Sequence, residues 1–381
     1  MSFSSLGLSQ HLVQAVAEQN YMQPYPIQKE AIPAILNCKD VLGIAKTGSG
    51  KTAGFVLPIL ELLHGSRPAK NRYVKALVLV PTRELAVQVA EVFQVLGAKL
   101  PKKIKSIAVY GGVSVNPQMM ALGGTEILVA TPGRLLDLVS SKAVHLSEVQ
   151  TLVLDEAVKM LDLGFKEEMA EIFALLPARR QNILFSATLG RDVNDIKDIL
   201  LRNPVIIEVE EAEDQNLDLI KQVAYLVDPE RKGLMLRYLI KERDMRQVLV
   251  FVSAVKRADN VVDKLIKNGI EAASFHSKKS QGGRTDALKK FKSGKLKVLV
   301  ATDLASRGID IQFLPYVINY ELPRSPKDYV HRIGRTGRAE SSGEAISLIS
   351  PEDQHHFKII QKKMGKRVEL NDTTDLDLKG Y

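Results

Sequence analysis

The run Ala45-Lys46-Thr47-Gly48-Ser49-Gly50-Lys51-Thr52 constrains this chain more than any other feature. It follows a short apolar stretch, Val41-Leu42-Gly43-Ile44, which reads as a buried strand. A glycine-rich turn between a strand and a helix lets backbone N–H groups close on phosphates. Lys51 brings a positive charge, and the Thr52 hydroxyl can ligate Mg²⁺. Thr47, Gly48, Ser49 and Gly50 join them as candidate phosphate contacts. The first glycine of the general pattern is replaced by Ala45. An ordinary glycine-rich turn would look similar, so the loop needs a second feature beside it.

That feature is Leu152-Val153-Leu154-Asp155-Glu156, three apolar residues of a buried strand with two acids at its end. In open α/β sheets ligands gather outside the carboxyl ends of the strands. There Asp155 can hold Mg²⁺, largely through water, and Glu156 can orient or deprotonate an attacking water. A lone apolar-Asp-Glu run is usually a solvated strand end. With the Gly-Lys-Thr loop about a hundred residues upstream, it specifies a site for nucleoside triphosphate hydrolysis.

The length of 381 residues allows two domains with sizeable cores. The net charge of +9 favours an anionic partner, with nucleic acid the first candidate. A single cysteine, Cys38, excludes an internal disulfide and a multi-cysteine zinc site, which fits a reducing compartment. The N-terminus carries no basic and apolar leader, and no apolar run is as long as a membrane span. The expectation is a soluble, cytoplasmic protein without a membrane partner.

Strand runs are expected at Ala76–Val80, Ser106–Tyr110, Glu126–Ala130, Thr151–Leu154 and Asn182–Phe185, with amphipathic helices between them such as Glu84–Leu96 and Phe165–Leu176. The pattern restarts at Gln247–Val252, Ala272–Phe275, Lys297–Ala301, Tyr316–Tyr320 and Ala345–Ile349, with helices such as Val255–Asn268 and Ser280–Phe291. This alternation predicts α/β architecture, two parallel sheets each covered by helices on both faces. The acidic, polar stretch around 209–217 reads as a linker between domains at 1–208 and 218–370. The tail 371–381 has little to bury and is expected to fray.

Several loops at strand ends share small residues, threonine, arginine and glycine: Pro81-Thr82-Arg83, Gly111-Gly112 and Thr131-Pro132-Gly133-Arg134. Each alone reads as a helix cap or turn. Three beside a triphosphate loop suit a phosphodiester backbone, with no base readout.

The ordered set resembles the DEAD-box RNA helicases over nearly the whole chain. Tyr21-Met22-Gln23-Pro24-Tyr25-Pro26-Ile27-Gln28 is similar to the family's adenine-reading motif, with Phe3 as its isolated upstream aromatic. Ser186-Ala187-Thr188, Phe251, Gln281 with Arg284, Thr302-Asp303, Arg307-Gly308-Ile309-Asp310 and His331-Arg332-Ile333-Gly334-Arg335-Thr336-Gly337-Arg338 match the later motifs in order. Phe275-His276 with Lys279-Ser280-Gln281 is most similar to the bacterial RhlE-type branch.

The resemblance implies two RecA-like domains in tandem and ATP and Mg²⁺ as cofactors. It implies that Gln28 bonds the adenine edge, Tyr21 stacks on its face and Asp310 reaches the ribose. Arg335 and Arg338 become arginine fingers supplied by the second domain. Gln281, Arg284 and Thr302 become RNA contacts, and Ser186, Thr188 and His331 become coupling residues. ATP and RNA would each favour a closed state and so bind cooperatively. The implied partner is RNA, single-stranded or a short duplex, bound without sequence preference through phosphates and 2′-hydroxyls. A monomer working with ribosome-assembly or RNA-decay partners fits the same picture.

The chain departs from the family at Val158, where the four-letter motif ends in Asp; here it reads Asp155-Glu156-Ala157-Val158. Valine cannot replace the bonds this aspartate makes to Ser186 and Thr188. An unsatisfied buried group costs about 1–3 kcal/mol. The expectation is intact hydrolysis with weakened coupling to strand separation, and the rival reading is an ATP-gated RNA clamp. A DNA helicase shares the architecture, but the segment around Gln28 and the sixth motif argue against it. Lys46, where glutamine is usual, and Asn20, where glycine is usual, are smaller departures.

Overall fold

The computed structural model describes residues 2–45, 48–186, 191–209, 220–303, 314–336 and 343–381, with the backbone alone at 191–195. Its chain divides into two compact units, Met1–Glu211 and Ala212–Tyr381. The first is built on β1 (Val41–Ile44), β2 (Ala76–Leu79), β3 (Ser106–Val109), β4 (Ile127–Ala130), β5 (Thr151–Asp155), β6 (Gln181–Ser186) and β7 (Val205–Glu208). They form one sheet in the order β3-β4-β2-β5-β6-β1-β7, with every pair parallel.

These strands are short apolar runs, because helices cover both faces of the sheet. Alternate residues feed separate cores. In β2, Ala76 and Val78 join the cluster around Phe55, Phe93 and Phe185, while Leu77 and Leu79 join that around Leu128, Leu154 and Met160. Parallel strands need crossover helices, so the carboxyl ends of all seven lie along one edge.

The second unit contains β8 (Ile220–Leu226), β9 (Val248–Val252), β10 (Ala272–Phe275), β11 (Val298–Thr302), β12 (Tyr316–Asn319), β13 (Gly343–Ile349) and β14 (Leu370–Asp372). Their order is β10-β11-β9-β12-β13-β8-β14, again wholly parallel. Subtracting seven from each label reproduces the order of the first sheet, so the two units share one topology. The predicted tandem parallel sheets are therefore observed. Among the described residues no helix is long and apolar enough to cross a membrane.

Most expected strands and helices differ from the observed ones by one or two residues at the ends, where fraying and caps decide. Three strands escaped the sequence reading: β7, β8 and β14. The tail needs a correction, because it does not fray. β14 adds an edge strand beside β8. Arg231 donates to the Thr373 and Leu376 carbonyls at 3.1 and 2.7 Å, and Arg237 to the Tyr381 carbonyl at 2.7 Å. Leu378 is buried, and the Tyr381 ring meets Tyr238 edge-on at 5.1 Å. Long-range arginine bonds to backbone carbonyls and the buried Leu378 together hold the tail.

Gly43 in β1 has no room for a side chain. A Cβ there would lie 2.2 Å from the Phe185 ring, which itself packs 5.8 Å from the Phe55 ring. Overpacking of this kind costs about 1–3 kcal/mol. Gly43→Ala should lower the thermal unfolding midpoint of the first unit by about 2–4 °C per kcal/mol. An unchanged midpoint would show that the Phe185 ring yields freely.

Candidate active site and nucleic-acid interface

After β1 the chain turns through Gly48 and Gly50, both left-handed at φ +89° and +87°. Gly50 caps the helix Lys51–His64, and a Cβ there would stand 2.5 Å from Gln28 Nε2 and 2.8 Å from Tyr25 Cδ2. Both φ and space therefore demand glycine. The helix presents its unpaired N-terminal N–H groups at the carboxyl edge, where a phosphate would be held. Ser49 Oγ is buried there and has no hydrogen-bond partner among the described residues, while Thr52 is half-buried. Thr47 and Lys46 lie outside the described residues.

Lys51 is buried, and its Nζ donates to the Ala45 carbonyl at 2.7 Å and stands 3.6 Å from the Glu156 carboxylate. The sheet order explains the meeting. Only β6 separates β1 from β5, about 10 Å across. Asp155, the last residue of β5, is also buried. Burial pushes its carboxyl up to about 6, the Glu156 charge pushes the same way, and the Lys51 ammonium opposes both. Its Oδ1 is buried without a hydrogen-bond partner among the described residues. An unpartnered acid oxygen beside a phosphate loop fits a divalent cation, whose charge would restore the carboxylate. Glu156 sits at φ +59°, ψ +45°, a left-handed conformation that costs a non-glycine residue about 1 kcal/mol or more.

Gln28 is buried at the start of the helix Pro26–Leu36. Its Oε1 accepts the Tyr25 N–H at 3.0 Å and its Nε2 donates to the Gly50 carbonyl at 2.9 Å. One amide proton and one lone pair stay available to a ligand. Tyr21 is exposed, whereas Phe3 is a core residue.

The three loops expected to meet a phosphodiester follow β2, β3 and β4, which are contiguous in the sheet. They occupy one half of the carboxyl edge, and the triphosphate residues after β1 and β5 occupy the other. Thr82 caps the helix Arg83–Gly97, its hydroxyl accepting the Leu85 N–H at 3.3 Å. Arg83 lies against Gly112, where a Cβ would stand 2.2 Å from its guanidinium. Arg134 is buried and turns back to the Val113 carbonyl at 2.8 Å and to Asp137 at 3.3 Å. The arginines thus bind the loops to one another. Gly111 and Gly133 have open space where a Cβ would stand, and Thr131 and Pro132 open the helix that ends at Ser140. Pro81 joins β2 to the Thr82 cap.

In the second unit, Gln281 and Arg284 open the helix Gln281–Lys292 after β10, and Thr302 ends the neighbouring β11. The Arg284 guanidinium lies over the Phe275 ring at 4.9 Å. The centre of this site is a residue to which sequence reasoning gave no role. Arg332 is buried and grips both oxygens of Asp303 at 2.6 Å. It also donates to Asn319 at 3.0 Å and to the Glu321 carbonyl at 2.7 Å, and it lies 4.9 Å over the Phe251 ring. This network pins the helix Pro326–Ile333 against β9, β11 and β12, and so fixes His331 and Arg335 on either side of Arg332. The motif order was the only sequence signal for it. Thr188, Asp310 and Arg338 lie outside the described residues.

Val158 is half-buried against the cluster that contains Leu42, Leu154 and Met160. Ser186 is fully buried and keeps an interaction of its own. Val158 thus offers packing where the resemblance puts a carboxylate that bonds Ser186 and Thr188.

The raised carboxyl of Asp155 has a consequence for stability. Its folded pKa exceeds that of an unfolded aspartate, near 3.9, so the folded state binds the extra proton between the two values. Stability from this group is complete below about pH 4 and is lost as pH rises through about 6. Asp155→Asn should raise the thermal midpoint of metal-free protein at pH 7.5, with a smaller gain at pH 5. Equal gains at the two pH values would remove the burial argument.

A family model described as DEAD/DEAH box helicase matches residues 25–196, and one for the helicase conserved C-terminal domain matches residues 231–340. The DEAD-box ATP-dependent RNA helicase CshA of Geobacillus kaustophilus is 37% identical over 372 residues, covering 97% of this chain and 78% of that protein. The ATP-dependent rRNA helicase RRP3 of Gibberella zeae is 38% identical over 369 residues, covering 96% and 75%. Among solved structures, S. cerevisiae Dbp5 bound to RNA and ADP BeF3 superposes with a TM-score of 0.82 at 31% identity, covering 97% of this chain and 95% of that one. A DEAD box protein from Methanococcus jannaschii gives a TM-score of 0.54 at 34% identity, covering 98% and 99%. With the phosphate loop, the paired acids and the strand-end loops on one sheet edge, these likenesses show that the chain belongs to the DEAD-box family of ATP-dependent RNA helicases.

Proposed function

We propose that this helicase hydrolyses Mg²⁺–ATP at the β1–β5 half of the first sheet edge and holds RNA at the β2–β3–β4 half. The observation that carries this is Lys51, buried between the Ala45 carbonyl and the Glu156 carboxylate beside the unpartnered Asp155 Oδ1. When phosphate enters, Lys51 can move its donors to the terminal phosphates, which releases Glu156 toward water. Asp155 and Thr52 would hold Mg²⁺, largely through its water shell, and the ion would neutralise phosphate charge. Gln28 reads the adenine edge with its remaining donor and acceptor, and Tyr21 covers the ring. Asp310 meets the ribose. Arg335 and Arg338 neutralise charge on the transferred phosphoryl group, a role supported by the sixth motif.

β2 and β5 are neighbours, so the Pro81–Arg83 loop adjoins the strand that ends in Asp155. RNA on that loop can bias the hydrolytic acids through one shared strand pair. RNA recognition through loop backbone, Thr131, Gly133 and the second unit's Gln281, Arg284 and Thr302 is blind to base sequence. The RNA in the Dbp5 complex supports the same ligand class here. We place the protein in the cytoplasm as a monomer, acting on single strands and short duplexes, within the RhlE-type branch suggested by Phe275-His276 and Lys279-Ser280-Gln281.

Glu156→Gln should lower RNA-stimulated ATP turnover by about 10²–10⁴-fold, the usual yield of a positioned general base. Binding of ATP and RNA should persist, giving a long-lived ternary complex in a filter-retention assay. Turnover at the unaltered rate would remove Glu156 from its role.

The packing of Val158 and the interaction retained by Ser186 favour productive unwinding. Val158→Asp should lose about 1 kcal/mol of stability by setting a carboxylate against an apolar cluster. Strand displacement per ATP should stay the same as in the unaltered protein. A clear rise in displacement per ATP would instead show that valine weakens coupling.

A further inference from the structure

The second unit carries a groove of about 1110 Å³ that belongs to none of the motifs. One wall is the helix Gln354–Met364, and the other is the turn through Gly365 to Arg367 that leads into β14. Gln354, Lys358, Gln361 and Lys362 line the groove. Their spacing of three and four places them on one helix face. Arg367 and Lys366 face them from the turn, and Glu369 is the one acid in the lining. Phe357 is buried at the base.

Lys358, Lys362 and Arg367 are exposed and form no ion pair among the described residues. Like charges four residues apart destabilise a helix by a few tenths of a kcal/mol, and the helix Gln354–Met364 has no acid of its own to offset them. A trough of unpaired cations with amide side chains between them matches a chain of phosphates. The groove lies at the β8–β14 flank, whereas the motif residues Gln281 and Thr302 follow β10 and β11 at the other flank. Five strand spacings separate β11 from β14, about 24 Å. One RNA too short to cross that distance cannot fill both places.

We propose that this groove is a second RNA-binding site, which holds the phosphodiester backbone of a strand that extends beyond the motif edge. The assignment rests on RNA being the ligand of the motif edge. It predicts that affinity grows with RNA length through Lys358, Lys362 and Arg367, while ATPase stimulation by short RNA is independent of them.

The test compares oligouridylates of about five and about forty nucleotides, the shorter spanning only about 17 Å at about 3.4 Å per nucleotide and still able to fill one single-strand site. Binding is read by fluorescence anisotropy across a salt series, and ATPase stimulation is measured beside it. Lys358→Glu with Lys362→Glu should lower affinity for the long RNA about tenfold. It should also flatten the slope of log affinity against log salt by about 1–2, as loss of two phosphate contacts requires. Short-RNA binding and stimulation should be unchanged. Lys358→Gln with Lys362→Gln should give an intermediate loss for the long RNA at an unchanged melting temperature. Unchanged long-RNA affinity and slope would overturn the proposal, as would equal losses for the two lengths. Loss of polyglutamate binding with RNA binding intact would overturn it in favour of an acidic protein partner. Failure of the unaltered protein to bind either RNA would overturn the motif-edge reading and this one together.

Discussion

A wholly parallel sheet leaves its chain no choice about where loops collect. Each strand must be followed by a crossover, so the carboxyl ends of all seven strands share one edge. The order β3-β4-β2-β5-β6-β1-β7 then sorts that edge into two neighbouring groups of loops. Residues far apart in sequence, Lys51 and Glu156, come within 3.6 Å because a single strand separates β1 from β5. The loops after β2, β3 and β4 form a continuous border because those strands are adjacent.

Electrostatics at the centre of that edge oppose stability. A buried acid whose carboxyl is pushed up to about 6 and a second acid in a left-handed backbone share a single buried ammonium. Partial compensation comes from Lys51, whose bonds to Ala45 and Glu156 satisfy it in the absence of phosphate. A cation and a triphosphate supply both missing signs of charge at once. Ligand binding therefore has a steep local driving force, and the same atoms that strain the free protein define the ligand.

Much of this was legible in the sequence because buried parallel strands read as plain apolar runs, and because a glycine loop and an acid pair are chemically specific. What escaped shares one cause: it is decided by partners distant along the chain. β14 and the tail carry few apolar residues and are held by Arg231 and Arg237 together with Leu378. Arg332 meets Asp303 across 29 positions. Arg134 is a strand-end arginine that reads in the sequence as an RNA contact, yet it turns inward to Val113. Val158 showed which group was missing, but the sequence could not show how Ser186 is satisfied. Thr82 was both a cap and a candidate contact in the sequence, and the structure shows the cap.

The second unit repeats the topology of the first, and its buried lysine shows why one edge takes a triphosphate and the other does not. Lys232 begins the helix after β8 as Lys51 begins the helix after β1. It too is buried, and burial holds its pKa below the usual lysine range. Its Nζ donates to the carbonyl of Tyr320, just after β12, and lies 3.9 Å from Asp353, beyond β13. β12 and β13 are the counterparts of β5 and β6. The lysine has thus kept its place and its type of contact. What differs is the turn before it: Val227-Asp228-Pro229-Glu230-Arg231 has no glycine to fold its amides around an anion, and two acids to repel one. Tyr320 stands where the first sheet has Asp155 and Glu321 where it has Glu156, so the pair keeps one acid and lacks the one placed to hold a metal. The same fold with the same buried ammonium becomes a structural tie, because phosphate chemistry lies in the turn and the acid, not in the sheet.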